Sequence, residues 1–269
     1  MVAVIKLGGS VLRTGFPEPF IVDLKSFLEK DRAVFVHGGA AIVTGIAEKM
    51  GKKQEFVVSP DGMKSRYTDK ETMEIYTMVM SGKINKYLVA ALISHGIRSI
   101  GLCGADGFFL KAERKKRLLI VDERGRKVMI DGGYTGKITS VDTKFLTSLL
   151  DLGLVPVISP IAIDDEFQLL NVDSDRTAAY IAGALKADSL MFFTDVEGLM
   201  LEDKVVRKLS LDEAKAQLPK IGHGMRKKVY AGLEALDMGA HEVIISSGTR
   251  DAPISTALRH EAGTFIGTD

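Results

Sequence analysis

The 269-residue sequence is poor in residues that cross-link a chain or are heat-labile. It has one cysteine, Cys103, which excludes an internal disulfide and any multi-cysteine metal cluster. Asparagine occurs only at positions 85 and 171, and glutamine only at positions 54, 168 and 217. This scarcity is typical of proteins from organisms that grow at high temperature.

Long apolar runs and an excess charge of either sign are also missing. No run approaches the ~20 residues that span a bilayer. The first segment, Met1–Ile5, is already strand-like and has no signal-peptide pattern. The 36 basic residues nearly balance the 35 acidic ones, which gives no indication of a nucleic-acid or membrane-surface protein. We therefore expect a cytoplasmic protein, and its 46% of hydrophobic residues can fill a full core.

Short apolar runs alternate with helical patterns along the chain. The runs are hydrophobic on both faces, which is typical of a parallel sheet covered by helices on each side; they lie at Val2–Leu7, Ala33–Val36, Arg98–Leu102, Val155–Ser159, Leu190–Phe193 and Glu242–Ile245. Helices are predicted near Pro19–Lys30, Ala41–Met50, Asp69–His95, Asp142–Leu152, Asp173–Lys186, Leu211–Leu218, Met225–Met238 and Pro253–His260. Between the third and fourth of these helices, a hairpin that turns at Gly125 is predicted from Leu118–Val121 and Lys127–Ile130. The pattern predicts an α/β three-layer sandwich with an open, mainly parallel sheet.

Glycine-rich turns follow four of the predicted strands, at Gly8–Ser10, His37–Ala40, Gly104–Gly107 and Thr194–Gly198. Ligands of an open parallel sheet bind at the carboxyl ends of its strands, where helix N-termini present unpaired amides to anions. Glycine lets the backbone approach such a ligand closely. One such turn is more often just a tight connection, but four in one sheet indicate an anion-binding crevice.

The common nucleotide and metal motifs are absent. Gly132–Ile138 superficially matches a P-loop, but Asp131 occupies the leading position and Ile138 stands where Ser or Thr would hold magnesium. No G-x-G-x-x-G follows the first strand, no H-E-x-x-H occurs, and the histidines at 37, 95, 223, 241 and 260 show no ligand spacing. A dehydrogenase and a zinc hydrolase are therefore disfavoured, and no metal-binding residues are predicted.

Six segments in order closely resemble the amino-acid kinase family, and the resemblance covers essentially the whole chain. They are Ile5–Ser10, Val36–Gly39, Ser65–Asp69, Leu170–Asp175, Thr194–Leu199 and Gly224–Val229. They are similar to the N-acetylglutamate kinase branch, and above all to the subgroup that phosphorylates glutamate or 2-aminoadipate attached to a small acidic carrier protein, LysW. The segments Ser65–Thr68, Met78–Lys86 and Glu113–Lys137 resemble the archaeal form of that subgroup.

The resemblance implies one amino-acid kinase domain of residues 1–269. A substrate and dimer lobe would span residues 1–186 and a nucleotide lobe residues 187–269. It further implies ATP with Mg²⁺, phosphorylation of a side-chain carboxylate to an acyl phosphate, and a place in lysine and arginine biosynthesis. Two features depart from acetylglutamate kinases. Ala40 stands where a third glycine is usual, and the chain begins at the first strand without the N-terminal helix of hexameric, arginine-inhibited members. The second departure favours a homodimer.

The resemblance assigns catalysis to Lys6, Lys228 and Asp175. A lysine inside an apolar strand is costly unless it is paired, which favours a functional Lys6. Lys228 lies in a basic helical segment whose ordinary interpretation is a solvated face, and Lys227 is the nearest alternative to it. Asp173 is the expected N-cap of the helix that follows, which leaves Asp175 free to orient the two lysines.

The resemblance also assigns the binding residues. Gly38 and Gly39 would line the substrate carboxyl group, Asn171 would hold the substrate, and Arg66 would bind its α-carboxylate with two hydrogen bonds. The nucleotide would be bound by Lys6, Gly8, Gly9, Ser10, Thr194, Asp195, Gly198 and Leu199. Because a carboxylate is already ionised at neutral pH, the reaction needs no general base.

The basic segment Lys111–Arg117 has two interpretations. It is either a solubilising hairpin surface or part of a rim that steers an acidic carrier toward the site; that rim would comprise Lys64, Arg66, Arg114, Lys115, Lys116 and Arg117. Two other functions stay open: a kinase for free N-acetylglutamate, and a non-catalytic amino-acid sensor, which the presence of Lys6, Asp175 and Lys228 disfavours. Glutamate and 2-aminoadipate differ by one methylene, and no identified residue chooses between them.

Overall fold

A computed structural model describes residues 1–202 and 204–267. Its strands, in chain order, are β1 (Val2–Leu7), β2 (Arg32–His37), β3 (Phe56–Val58), β4 (Lys64–Arg66), β5 (Ser99–Leu102), β6 (Leu110–Arg114), β7 (Arg117–Val121), β8 (Lys127–Asp131), β9 (Gly136–Val141), β10 (Val155–Ile158), β11 (Ile161–Ile163), β12 (Leu169–Asn171), β13 (Ser189–Thr194), β14 (Met200–Leu201), β15 (Lys204–Val205), β16 (Lys208–Leu209), β17 (Glu242–Ser247) and β18 (Thr264–Gly267). The α-helices are α1 (Glu18–Leu28), α2 (Ala40–Lys49), α3 (Lys70–Thr77), α4 (Asn85–Ser94), α5 (Thr143–Asp151), α6 (Ser174–Leu185), α7 (Leu211–Gln217), α8 (His223–Asp237) and α9 (Pro253–Leu258).

The central sheet has the strand order β16-β18-β17-β13-β1-β2-β10-β5. The strands from β17 to β5 are all parallel, whereas β18 runs antiparallel to β17. All six predicted strands are confirmed, and they form the parallel part. The prediction missed the short strands β16 and β18, which extend the sheet at one edge.

Helices cover both faces of this sheet, and the alternation along β1 shows which face is which. Ala3, Ile5 and Leu7 belong to one buried apolar layer, which also contains Phe20 of α1. Val4 belongs to the opposite layer, with residues of α5, α6 and α8. Because side chains alternate along a strand, Lys6 lies on the same face as Val4 and points toward α6 and α8. The three-layer architecture is confirmed.

A smaller sheet of order β12-β11-β6-β9 and three two-stranded ribbons surround the strand ends. The β7–β8 hairpin is confirmed, and its turn contains Gly125 at φ +76°. The four-stranded sheet was not predicted. Its strand β11 follows β10 after only Ser159 and Pro160, so the sequence shows one apolar run where the chain forms two strands.

The predicted helical stretch Asp69–His95 is confirmed over residues 70–94, but it is not α-helical throughout. A π-helical segment, Met78–Ile84, separates α3 from α4. The apolar pattern continues through this segment because Val79, Met80 and Ile84 are all buried, so the pattern does not reveal the change of helix type.

The central sheet is continuous across the boundary that the two-lobe prediction placed at residues 186 and 187. Strand β13 pairs in parallel with β1 over five residues, from Ala3↔Ser189 to Leu7↔Phe193. The two predicted lobes would therefore share one sheet. Within the described residues, no helix is both long and apolar enough to cross a membrane.

Candidate active site

The glycine turns after β1 and β2 are packed directly against each other. A Cβ added to Gly9 would lie 2.9 Å from the backbone nitrogen of Gly39, and one added to Gly38 would lie 2.9 Å from that of Gly9. Real side chains do not approach backbone this closely, so glycine is required on both sides of the contact. The strand order explains the meeting, because β1 and β2 are neighbours and end at the same edge.

These turns leave several backbone amides unused. The N–H of Gly8 donates to Phe193 O at 2.8 Å, and that of Gly38 donates to Leu7 O at 2.9 Å. In the part of the chain that the structure describes, the next amides in each turn have no protein acceptor; they belong to Gly9, Ser10, Gly39, Ala40 and Ala41. The last three form the N-terminus of α2, which has no side-chain cap. Such a group of free amides is suited to binding an anion.

Three charged side chains form what we call the floor of the site. Lys6 Nζ lies 2.6 Å from Asp175 Oδ1, and Lys228 Nζ lies 3.3 Å from Asp175 Oδ2. Burial lowers the pKa of Lys6, against the opposing effect of Asp175, and the positive charge of Lys228 lowers it further. Burial opposes ionisation of Asp175, but the two ammonium groups outweigh burial and hold the pKa of Asp175 at about 2. The floor is therefore two cations that share one carboxylate.

The local sequence of α6 explains why Asp175 is available. Asp173 is the N-cap, as predicted, and its carboxylate accepts hydrogen bonds from the backbone N–H groups of Asp175 and Arg176. On α8, Lys228 reaches Asp175, whereas Lys227 Nζ donates to the backbone oxygen of Lys64 at 2.7 Å. The structure thus distinguishes two adjacent lysines that the sequence alone could not separate.

A cavity of about 800 Å³ opens above the floor, and Lys6, Gly9, Gly39, Arg66 and Asn171 all line it. The Arg66 side chain is only 7% exposed. Its guanidinium donates to Gln54 Oε1, to Ala40 O at 2.8 Å and to Thr44 Oγ1 at 2.9 Å.

Arg66 is a buried cation without a counter-ion. Burial lowers its pKa, and no carboxylate of residues 1–202 and 204–267 forms an ion pair with it. An unpaired buried charge is costly. A bound anion would supply the missing partner.

Asn171 is held in place by a partner that the sequence did not indicate. Its Nδ2 donates to Thr68 Oγ1 at 2.9 Å, and its backbone N–H donates to Tyr134 O at 2.8 Å. Thr68 is fully buried and lies 103 positions away in the chain. No local spacing could have connected these two residues.

The predicted nucleotide-binding residues fall into two groups. Gly9 and Ser10 line the cavity, and Thr194 and Asp195 lie beside Ser10. Although burial opposes it, hydrogen bonds from Thr194 and Ser10 hold the pKa of Asp195 below its usual value.

Gly8, Gly198 and Leu199 have structural contacts instead. The Gly8 N–H is used by Phe193. The Leu199 N–H donates to Thr264 Oγ1 at 2.8 Å, and a Cβ on Gly198 would lie 2.7 Å from that same oxygen. These three glycine and leucine positions fix the strand ends around the site.

Two of the four glycine turns, those after β5 and β13, do not line the cavity. Gly104 follows β5 at the far edge of the sheet, and a Cβ there would meet Ala162 Cα at 2.7 Å. This turn joins the central sheet to the four-stranded sheet. The inference of an anion-binding crevice therefore rests on the turns after β1 and β2, with the turn after β13 beside them.

The six residues of the predicted carrier rim differ in burial and in their contacts. Arg66 is buried, and Arg114 donates to Gly133 O at 2.6 Å and pairs with Asp131 of β8 at 3.4 Å. The remaining four, which we call the outer cations, are Lys64, Lys115, Lys116 and Arg117.

Lys64 and Lys115 line the cavity. Burial lowers the pKa of Lys115, and the nearby cations Arg176 and Lys137 lower it further. Arg176 also lines the cavity and was missed by the sequence analysis; it is paired with Glu234 of α8. No three histidine, cysteine or acidic side chains of the described chain come together as a metal site.

Comparisons with known proteins agree with this geometry. The family model described as amino acid kinase family matches residues 1–247. A protein of Nitrosopumilus maritimus is 55% identical over 262 residues, covering 97% of this chain and 98% of that protein, and is named provisionally as a LysW-aminoadipate/LysW-glutamate kinase. A Sulfolobus acidocaldarius protein with the same name, without that qualification, is 44% identical and covers 98% of this chain and 99% of its own.

Solved structures share the fold. N-acetylglutamate synthase of Neisseria gonorrhoeae matches with a TM-score of 0.82 at 23% identity, covering 100% of this chain and 59% of that one. Carbamate kinase of Giardia matches with a TM-score of 0.65 at 14% identity, over 100% of this chain and 99% of that one. At these identities the likeness concerns the fold alone.

Proposed function

The chain belongs to the amino acid kinase family and uses ATP, and from this premise we propose that it phosphorylates the side-chain carboxylate of 2-aminoadipate linked to the carrier LysW. LysW-linked glutamate would be a second substrate. The products would be an acyl phosphate and ADP, in lysine and arginine biosynthesis. One observation carries the proposal: relatives named for this activity are 43–55% identical over nearly the whole chain.

The site is suited to joining two anions. Because the acceptor carboxylate is already ionised, catalysis consists of holding it in line with the transferring phosphoryl group and neutralising negative charge. Lys6 and Lys228 would contact phosphoryl oxygens, and Asp175 between them would fix their positions. The free amides of Gly9 and Gly39 would stabilise charge that develops in the transition state.

Arg66 and Asn171 would bind the amino-acid part of the substrate. The unpaired guanidinium of Arg66 supports binding of the α-carboxylate, and Asn171 is oriented by Thr68. Ser10, Thr194 and Asp195 would lie on the nucleotide side, with Gly198 and Leu199 supporting that wall. We propose that Mg²⁺ binds the ATP phosphates, which supply the oxygen ligands that the ion prefers.

A coupled ADP-release assay tests the activity. Carrier-linked 2-aminoadipate, carrier-linked glutamate, free N-acetylglutamate and no acceptor would be compared at equal concentration. We expect turnover with the carrier-linked acids and little with the free acetylated one. Preferred turnover of free N-acetylglutamate would instead identify an acetylglutamate kinase. Nucleotide or amino-acid binding without any ADP release would identify a sensor.

We also propose that the protein is a cytoplasmic homodimer that pairs through the β5 edge of the sheet. Strand β5 ends the central sheet and has no second partner strand among the described residues. Beside it, Tyr87 and Ile93 of α4 are 56% and 55% exposed. An unpaired strand edge flanked by apolar side chains favours association, and a two-fold axis would cover both copies equally. Light scattering should give the mass of two chains, and Ile93→Asp should shift it toward one.

A further inference from the structure

A buried hydrogen-bond network lies beneath the Gly38–Gly39 turn. His37 Nδ1 lies 3.1 Å from Gly38 O, and His37 Nε2 lies 3.3 Å from Asn85 Nδ2. The same Asn85 nitrogen donates to Val157 O at 2.9 Å. His37 and Asn85 are 0% and 1% exposed. Polar side chains are costly in such a place unless every hydrogen bond is made, so the network calls for an explanation.

The capacity of each group to donate or accept a hydrogen bond determines its role in this network. Gly38 O can only accept, so His37 Nδ1 carries the proton and donates. The amide nitrogen of Asn85 has two hydrogens, one for Val157 O and one for His37 Nε2, which must therefore accept. His37 is then a neutral imidazole in its Nδ1–H tautomer. Burial lowers the pKa of His37 to about 4, which agrees with this neutral state.

The network occupies space that a side chain at position 101 of β5 would otherwise fill. A Cβ on Gly101 would lie only 1.9 Å from Asn85 Oδ1. A glycine in a strand interior weakens the strand. Here it admits the Asn85 side chain between α4 and the sheet.

The hydrogen bond to Gly38 O acts on a peptide group that belongs to the site. In a trans peptide the C=O of one residue and the N–H of the next point in opposite directions, and no cis peptide occurs in the described chain. When His37 holds Gly38 O on its own side, the N–H of Gly39 points away from His37. That N–H is one of the free amides of the site, with no acceptor in the described protein.

This peptide would otherwise be free to turn over. It lies between two glycines, and Gly39 has φ +156°, a value that side chains other than glycine rarely adopt. A flipped peptide would present the Gly38 carbonyl oxygen, instead of an N–H, to a bound anion. We infer that His37, held by Asn85, is a positioning residue that keeps the Gly39 N–H directed at the anion in the active site. The inference rests on the proposed kinase function for its effect on rate.

Two substitutions of His37 distinguish the effect of its Nδ1–H donor from the effect of its packing in the core. His37→Leu removes the donor, whereas His37→Asn retains a nitrogen donor at the position of Nδ1. We expect kcat to fall about 10-fold to 100-fold in His37→Leu, less than the about 10²–10³-fold cost of removing an oxyanion-type donor outright, because the Gly39 N–H is still present. KM for ATP should change much less, and His37→Asn should recover most of the rate. Equal losses in the two variants, or an unchanged kcat in a folded His37→Leu, would overturn the inference.

A second measurement needs neither activity nor a variant that folds well. In ¹⁵N-labelled wild-type protein, the His37 imidazole should show a bound proton at Nδ1 and none at Nε2 at neutral pH. The Nε2–H tautomer would overturn the inference. The two measurements also separate this inference from the proposed function. If no carrier-linked acid is phosphorylated, the function fails but the tautomer result stands; if kinase activity is present and His37→Leu keeps full kcat, only the positioning role fails.

Discussion

The floor of the cavity is buried and paired, whereas the outer cations are exposed or half-exposed and form no ion pair with any carboxylate of the described chain. Lys6 and Asp175 are 4% and 5% exposed, and both belong to elements of the central sheet and its helices. Lys115, Lys116 and Arg117 lie on and beside the β7–β8 hairpin, outside that sheet. A buried ion pair is fixed in place before any ligand arrives. An exposed, unpaired cation is free to meet a partner that brings its own negative charge.

This difference in burial and pairing suggests different roles for the floor and the outer cations. In the proposed reaction, the floor would supply the fixed charges that phosphoryl transfer requires. The outer cations are where a protein-borne substrate could be distinguished from a free amino acid. The following predictions test this division, starting with the largest expected effect.

Removing a lysine of the floor should have the largest effect. In the proposed mechanism, Lys6→Met and Lys228→Met each remove a preorganised charge next to the transferring phosphoryl group, so we expect kcat to fall about 10²–10³-fold. Lys227→Met is the matched control, because Lys227 contacts the Lys64 backbone instead of Asp175; its kcat should change less than about threefold. Steady-state kinetics of the three variants decides, and an equal loss in Lys227→Met would contradict the assignment.

The buried histidine next to the floor should make the fold acid-sensitive. The pKa of His37 is about 4 in the folded protein and 6.5 in the unfolded chain, so the unfolded chain binds the proton first. Stability should therefore be lost as the pH falls from about 6.5 to 4, by up to about 3 kcal/mol, or roughly two orders of magnitude in the folding equilibrium. Urea unfolding at pH 7, 5 and 4 measures this loss.

The control for this pH effect is an exposed histidine. His241→Asn, at a side chain that is 67% exposed, should keep the wild-type pH dependence. His37→Asn should show a shallower dependence over the same pH interval. Identical curves for wild type and His37→Asn would exclude His37 as the source of the acid sensitivity.

Replacing the unpaired buried arginine should weaken substrate binding more than it slows the reaction. Arg66→Lys keeps the charge but loses the planar fork that binds a carboxylate through two hydrogen bonds. We expect KM for the amino-acid substrate to rise about 10-fold to 100-fold, since a hydrogen bond to a charged group is worth about 1.5–3 kcal/mol. KM for ATP is the internal control and should stay nearly constant. A rise in KM for ATP alone would place Arg66 on the nucleotide side.

Reversing the outer cations should give the smallest and most salt-dependent effect. In Lys115→Glu/Lys116→Glu/Arg117→Glu, affinity for the carrier-linked substrate should fall about tenfold at low salt, with the difference shrinking as screening increases. Arg114 is left intact because it is already paired with Asp131 of the hairpin. The matched control reverses three exposed lysines that do not line the cavity, Lys25, Lys30 and Lys49. Isothermal titration at low and high salt gives the result, and equal affinities of both triple variants would assign the hairpin a solubilising role.

The parts of the fold that the sequence predicts are those with a strong local signal. Strand β1 is an unbroken buried apolar run, and Asp173 is followed directly by a helical pattern, so both were predicted correctly. The four-stranded sheet escaped prediction because its strands are held by pairing partners distant in the chain, as Ile163 and Lys111 show. A local pattern carries no information about such partners.

The same limit applies to the site. Lys6 stands out because a charge inside an apolar strand is unusual, and the family resemblance adds Asp175 and Lys228. Nothing in the sequence connects Thr68 with Asn171, or His37 with Asn85, because only the folded chain brings them together. The groups that hold the predicted binding residues in place are thus the ones that the sequence does not reveal.

The central position of β1 also determines when the site can exist during synthesis. Strand β1 leaves the ribosome before the other strands of the sheet, but its neighbour β13 follows about 190 residues later, and Lys228 later still. At the ~5–20 residues per second of translation, the chain would spend many seconds with one edge of β1 unpaired. Exposed strand edges favour aggregation. A nascent chain stalled before residue 189 should therefore be both inactive and dependent on chaperones, although all of the proposed substrate-binding residues have already been made.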